Sequence, residues 1–248
     1  MRDAVRRLRP RTPPAAAPRL SVIVPVCDEE ASLPLLYERL TAVLAERVHA
    51  YEIIAVDDGS CDGSFRILRD LAARDPRLCV LRFRRNFGQT AALAAGFAAA
   101  RGRVIVTIDA DLQADPADIP ALLAKLGEGW DVVSGWRERR SLPSRIANPV
   151  LSWAMGVRLR DYGCSLKAYR AEVVADVERF GELDRIVPAI ATWQSIAVTE
   201  IPVRHAPRHG GRSKYRIDRT VRLLLDLVRV RFLGYRTQVF LPPRPVTQ

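Results

Sequence analysis

Val104-Ile-Val-Thr-Ile108 runs without interruption into Asp109-Ala-Asp-Leu-Gln113. An apolar, β-branched run that ends on carboxylates reads as a strand buried on both faces, delivering polar groups from its carboxyl end. The same arrangement occurs twice upstream. Residues 20–26 lead into Cys27-Asp28-Glu29-Glu30, and residues 52–56 into Asp57-Asp58-Gly59-Ser60. Further strand-like runs lie at 78–83 and 132–134, and the first four runs are separated by segments of helical character. In the first of these, Leu33, Leu36, Leu40, Val43 and Leu44 share one helical face, and Ser32 can cap its start. Asp62 or Ser64 can open the second, and residues 90–100 form a third built of small side chains. This alternation predicts an α/β fold, a mostly parallel, Rossmann-like sheet with helices on both faces.

In such a sheet the ligand lies beyond the carboxyl ends of the strands, where this chain places three acidic clusters. Carboxylates repel a bare diphosphate. Either they reach sugar and base hydroxyls, or a divalent cation stands between them and the phosphates. A dinucleotide-binding domain would need glycines and a free helix N-terminus after the first strand, and Cys27-Asp-Glu-Glu30 offers neither. In Asp109-Ala110-Asp111 the small middle residue can tuck inward while two carboxylates converge on one hard cation, with Gln113 adding an amide oxygen. Mg2+ or Mn2+ suits those ligands.

The 248 residues are enough for one catalytic domain, and the net charge of +11 calls for an anionic partner. Four cysteines without a Cys-x-x-Cys pair suggest neither a disulfide framework nor a zinc site, and favour a reducing compartment. Residues 1–19 are expected to be a disordered basic tail, residues 20–216 the catalytic domain, and residues 217–248 a basic amphipathic helix with a C-terminal tail. Ile217, Val221, Leu224, Leu225, Val228 and Phe232 share one face of that helix, and Arg219, Arg222 and Arg229 another. The half that follows Ser134, with its arginine-rich stretch 137–145, is expected to lie over the functional edge of the sheet.

With these elements placed, the sequence resembles family 2 glycosyltransferases, in particular the polyprenyl-phosphate sugar transferases that include dolichyl-phosphate mannose synthase and bacterial undecaprenyl-phosphate transferases. The resemblance spans residues 20–235. It is carried by Ser21-Val-Ile-Val-Pro-Val-Cys-Asp-Glu-Glu30, Val56-Asp-Asp-Gly-Ser60, Asn86-Phe-Gly-Gln89, Asp109-Ala-Asp-Leu-Gln113, Ser134-Gly-Trp-Arg137, Asp161-Tyr-Gly-Cys164 and His205-Ala-Pro-Arg-His-Gly-Gly-Arg-Ser-Lys-Tyr215. It implies an A-type glycosyltransferase fold, a nucleotide-sugar donor (UDP- or GDP-linked) and a polyprenyl phosphate acceptor. Pro25, Cys27, Glu29, Val56 and Asp58 would surround the nucleoside. Asp111 and Gln113 would bind the metal, Asp109 would share that role or bond the nucleotide, and Ala110 would sit between them. Arg137, Arg208 and Lys214 would grip the donor diphosphate and the acceptor phosphate. Cys27 stands where those relatives commonly carry tyrosine, and Asp28 where they carry asparagine; both changes are expected to be tolerated.

A lipid phosphate is already an anionic nucleophile, so its attack on the anomeric carbon needs no general base. The expected enzyme inverts the sugar in one displacement, acting as a peripheral protein on the cytoplasmic face of the plasma membrane or through a membrane-protein partner. Two rivals fit less well. A sugar nucleotidyltransferase would need a glycine-rich basic loop after the first strand, and a nucleic-acid-binding module would show interleaved aromatic and basic residues. Nucleic acid is therefore not expected as a partner.

Overall fold

The computed structural model describes residues 5–8, 18–48, 50–138, 159–174 and 197–207. The strands are β1 (Val5–Leu8), β2 (Leu20–Val26), β3 (Tyr51–Asp57), β4 (Leu78–Phe83), β5 (Val104–Thr107), β6 (Val132–Trp136), β7 (Lys167–Arg170) and β8 (Val198–Pro202). The helices that position them are α1 (Leu33–Arg47), α2 (Ser64–Ala72), α3 (Gln89–Ala99) and α4 (Ile119–Gly127). The strands form one sheet in the order β1-β4-β3-β2-β5-β7-β6-β8. Strands β2 to β5 run parallel, while β7 is antiparallel to both β5 and β6. The chain lays β3 and β4 on one side of β2 and β5 on the other. This reversal opens a crevice at the carboxyl ends of β2 and β5, where α/β sheets bind ligands.

Period-two alternation decides which helix covers which face. Val22, Val24, Ile53 and Ala55 face the core shared with Leu33, Leu36, Leu40 and Leu44 of α1, Leu68 of α2 and Leu122 of α4. Ile23, Ile54 and Val56 point the other way, where Ala92, Leu93 and Phe97 of α3 pack. Each fully buried leucine of α1 contributes at most about 1.5–3 kcal/mol. Helix α3 lies close on β2 because its contact residue is Gly96, where a Cβ would collide with Ile23.

The crossovers match expectation, and three differences have physical reasons. Ser32 precedes α1 but caps nothing: its Oγ donates instead to the carbonyl and Oε2 of Glu29, both at 3.1 Å. Residues 1–19, expected as a tail, include β1, which pairs antiparallel with β4 and covers the edge strand's open backbone groups. The remainder of that segment through residue 17 lies outside the described residues. Among the described residues after Ser134, β7 and β8 extend the sheet while the segments 159–166 and 203–207 lie at its functional edge; the arginine-rich stretch from residue 139 on lies outside the described residues.

The amino-terminal end of the sheet is closed by a buried network. Glu52, 2% exposed, accepts Ser21 Oγ at 2.7 Å and Arg101 Nε and Nη2 at 2.9 and 2.6 Å. No site residue touches this network, so it serves the fold.

Candidate functional site

Many of the acidic residues at the carboxyl edge are spent on building the loops. Asp28, at φ 51°, accepts the Cys61 N–H at 2.7 Å, and Glu30 accepts the Gly63 N–H at 2.7 Å. These bonds lace the β2–α1 loop to the β3–α2 loop. Asp57 has no exposed surface; Ser60 N–H donates to its Oδ1 at 3.1 Å and Arg82 stands 3.3 Å from Oδ2. Burial raises the Asp57 pKa, and the Ser60 bonds and Arg82 oppose that rise. Asp58 holds the next loop, accepting the backbone N–H groups of Phe87 and Gly88 at 2.7 and 2.9 Å.

Around the nucleoside positions, Pro25 and Val56 sit side by side in the register of β2 and β3. Val56 has no exposed surface and packs with Ile54 and Phe83, so it forms the floor. Glu29 is buried and accepts Ser32 Oγ, while its own N–H donates to Ser64 Oγ at 2.8 Å. Cys27 is half-buried, with Asn86 Nδ2 3.1 Å from its sulfur.

Beyond β5 the chain turns sharply. Ala110 and Leu112 enter the core, Leu112 at a positive φ of 60° that an L-residue rarely holds. That turn leaves Asp109 and Asp111 on the polar side. Asp109 accepts Gln89 Nε2 at 2.7 Å, and Asp111 accepts the Gln113 N–H at 3.1 Å. Behind Asp109 lies a cavity of about 60 Å³ lined by Pro25, Gln89, Tyr162, Ser165 and Lys167 among others. Lys167 is 4% exposed, and its Nζ donates to the Tyr162 carbonyl at 3.2 Å.

Two segments from the second half complete the edge. Just past β6, Arg137 forms a bidentate pair with fully buried Asp161 at 2.6 and 3.0 Å. The hydrogen bonds to Asp161 raise the Arg137 pKa, with burial opposing and the negative charge of Asp109 adding to the rise. Glu200 of β8 in turn accepts the N–H groups of Arg160 and Asp161 at 2.7 and 3.1 Å, and burial raises its own pKa. After β8 the chain is fastened to the Asp111 loop. Ala206 N–H donates to the Gln113 carbonyl at 2.9 Å, and His205 bridges to Ala114. Arg204 clasps Asp118 at 2.9 and 2.8 Å and lies 3.2 Å from Asp115. His205 is thereby held in the fields of Arg137, Asp111 and Asp161. Burial and Arg137 depress its pKa, and the two carboxylates oppose that fall.

The structure thus gathers Asp109, Asp111 and Arg137 at the edge of β5 and β6, with Gln113 in the same loop, and Pro25, Cys27, Glu29 and Asp58 at the ends of β2 and β3. Arg208 and Lys214 lie outside the described residues. Asp161, His205 and Lys167 were not singled out from sequence. The first two stood inside quoted motifs, but nothing in a linear pattern says that the residues near 161 and 205 meet the Asp111 loop. Cys164 is no nucleophile: burial pushes its thiol up to about 11.

Among the described residues no three His, Cys, Asp or Glu side chains converge to hold a metal by themselves. Two carboxylates and an amide nevertheless fit a hard cation that takes its remaining ligands from substrate phosphates and water, the usual habit of Mg2+.

Sequence comparison agrees with this geometry. Residues 21–172 match the profile described as "Glycosyl transferase family 2". The chain belongs to that family. Over 243 residues this family 2 chain is 41% identical to dodecaprenyl-phosphate galacturonate synthase of Rhizobium johnstonii, covering 94% of the chain and 72% of that protein. It is also 41% identical, over 84% of the chain, to undecaprenyl-phosphate 4-deoxy-4-formamido-L-arabinose transferase of Pseudomonas fluorescens, of which it spans 63%. The resemblance to polyprenyl-phosphate sugar transferases therefore holds. Among solved structures, glucosyl-3-phosphoglycerate synthase of Mycobacterium tuberculosis shares the fold, with a TM-score of 0.66 at 20% identity over 88% of this chain and 80% of that one. The same enzyme in complex with Mn2+, UDP and phosphoglyceric acid gives 0.64 at 19% identity, covering 88% of this chain and 79% of that one. The A-type glycosyltransferase fold is confirmed.

Proposed function

We propose that this family 2 glycosyltransferase moves a sugar from a nucleoside diphosphate sugar, UDP- or GDP-linked, to a polyprenyl phosphate at the cytoplasmic face of a membrane. The observation that supports this reading most is the convergence of Asp109 and Asp111 with the Arg137–Asp161 pair and His205 at the carboxyl ends of β5 and β6. That set joins metal-compatible donors to a fixed cation. Two kinds of relative add support: the curated ones are named for transfer to dodecaprenyl or undecaprenyl phosphate, and the structural neighbour was captured with UDP and Mn2+ or Mg2+.

Asp109, Asp111 and Gln113 would hold a divalent cation, with His205 beside them. When bound, that cation neutralises the donor diphosphate and stabilises it as a leaving group. The protein's own tasks are positioning and charge control. Asp161 accepts from Nε and Nη2 of Arg137 and so fixes the guanidinium, whose remaining N–H groups would meet a substrate oxygen without reorganising. The cavity behind Asp109 would receive part of the donor sugar. The phosphate oxygen of the acceptor attacks the anomeric carbon as the bond to the diphosphate breaks, inverting that centre. No base is required, and the buried thiol of Cys164 offers none. Arg208 and Lys214 would supply further cations to the departing diphosphate.

Among the described residues no helix is long and apolar enough to cross a membrane. The basic amphipathic pattern of residues 217–232, outside the described residues, would hold the enzyme against an anionic leaflet, at about 1 kcal/mol per basic residue. Incubating the protein with polyprenyl phosphate, Mn2+ and a panel of labelled nucleotide sugars tests the reading. Label entering the lipid extract is expected; label entering only water-soluble acceptors would refute the lipid assignment.

A further inference from the structure

Phe87 is the only large hydrophobic side chain exposed among the described residues, at 45%. A solitary exposed phenylalanine usually means nothing. This one is fixed in place from below. The carboxylate of Asp58, a residue that is 3% exposed, receives the Phe87 and Gly88 N–H groups at 2.7 and 2.9 Å. Gly59, at φ +67°, lets the loop settle on the β3–α2 turn, since a Cβ there would collide with the backbone of Arg85. Asn86 reaches across to Cys27 at 3.1 Å. The Phe87 ring meets Phe83 edge-on at 5.5 Å, and the Arg85 guanidinium stands 4.9 Å over it.

The loop between β4 and α3 thus carries a flat, pre-set aromatic and cationic surface to the ends of β2 and β3. Cys27, Glu29 and Asp58 stand there, and none of them has a ring. We infer that Phe87, with Arg85 stacked on it, is the platform for the base of the donor nucleotide. The inference rests on the reading that the donor is a nucleoside diphosphate sugar, and it adds the residue that grips its base. Stacking is tolerant of base identity because every base has a π face, so the platform accepts uridine and guanosine nucleotides alike. The Arg85 guanidinium adds a cation to the stack without demanding a particular hydrogen-bonding edge.

The test measures binding of UDP, GDP and pyrophosphate, each with Mn2+, to wild type, Phe87→Ala and Phe87→Tyr by calorimetry. Removing the ring should weaken both nucleotides about tenfold or more, leave pyrophosphate within twofold, and be rescued by tyrosine. In Phe87→Trp, the fluorescence added by the new indole should be quenched on nucleotide addition. Nucleotide affinity unchanged in Phe87→Ala would overturn the inference. So would an equal loss for nucleotide and pyrophosphate, which marks a loop that merely supports the fold. An indole signal that responds to anionic vesicles but not to UDP would assign the surface to a membrane and overturn it too. Wild type that binds neither nucleotide would instead sink the donor reading on which the inference stands.

Discussion

Arg137 and Asp161 are joined at two points, Nε to Oδ2 at 2.6 Å and Nη2 to Oδ1 at 3.0 Å, although 24 residues separate them. The Asp161 carboxylate has no exposed surface and the Arg137 side chain is 21% exposed, so little water screens the pair. It ties the end of β6 to the loop before β7.

Asp161→Asn should therefore damage both fold and function. Breaking a buried pair from one side costs about 3–5 kcal/mol, because the remaining charge is left without compensation. Arg137→Lys separates the two effects: it keeps the charge but loses the planar fork. Its melting temperature should fall less than that of Asp161→Asn, while its single-turnover rate drops at least tenfold. A normal rate in Arg137→Lys would mean that the fork does not position a substrate.

Glu52 offers the opposite case, since its bonds to Ser21 and Arg101 lie at the far end of the sheet. Glu52→Gln should lower stability by on the order of 2 kcal/mol, a figure reduced for the half-exposed arginine. Turnover below the melting range should be unchanged. Denaturant unfolding and a rate measurement on one preparation decide this; a fall in rate without a fall in stability would contradict the division of labour between the two ends.

How much of this was legible in advance follows from which forces are local. Strands β2 to β5 and their helices were readable because hydrophobic periodicity and the cost of unpaired backbone act over a few residues. Ala110, small between two aspartates, announced a turn that buries it. The four-residue strand β7 lacked an apolar run and owes its place to pairing with β5 and β6 on both sides. The clusters at Asp28, Glu30 and Asp57 looked like ligand sites, yet geometry turns those carboxylates onto loop N–H groups. His205 could not be placed because its position depends on the Arg204 clasp to Asp118, a contact across 86 residues.

Acid should loosen the α1–β4 side through Asp75. Burial raises its pKa, but hydrogen bonds from Arg77 and Tyr37, the latter at 2.6 Å, outweigh burial and leave it below the ordinary value. A carboxylate with a depressed folded-state pKa adds stability that is fully present above the unfolded value near ~3.9, and that is lost as pH falls through the folded one. Melting temperatures between pH 3 and 7 should show Asp75→Asn flatter than wild type at the acid end. Parallel curves would remove Asp75 from the account.

Lys214, outside the described residues, is proposed to meet the leaving diphosphate. Lys214→Ala should lower kcat about a hundredfold with little change in donor affinity, the scale of losing a preorganised charge stabiliser. A lower melting temperature with an intact single-turnover rate would assign the lysine to the fold.

Asp111 is where the account is most exposed, and transfer of labelled sugar into polyprenyl phosphate by wild type and Asp111→Asn, with Mn2+ or with EDTA, tests it most directly. The amide keeps the shape of the side chain and its bond to the Gln113 N–H while removing the charge. Wild type should label lipid only with the divalent cation present, and Asp111→Asn should melt normally yet label little at any Mn2+ concentration. Wild-type labelling by Asp111→Asn, or labelling undiminished by EDTA, would contradict a metal-dependent glycosyltransferase centred on this residue.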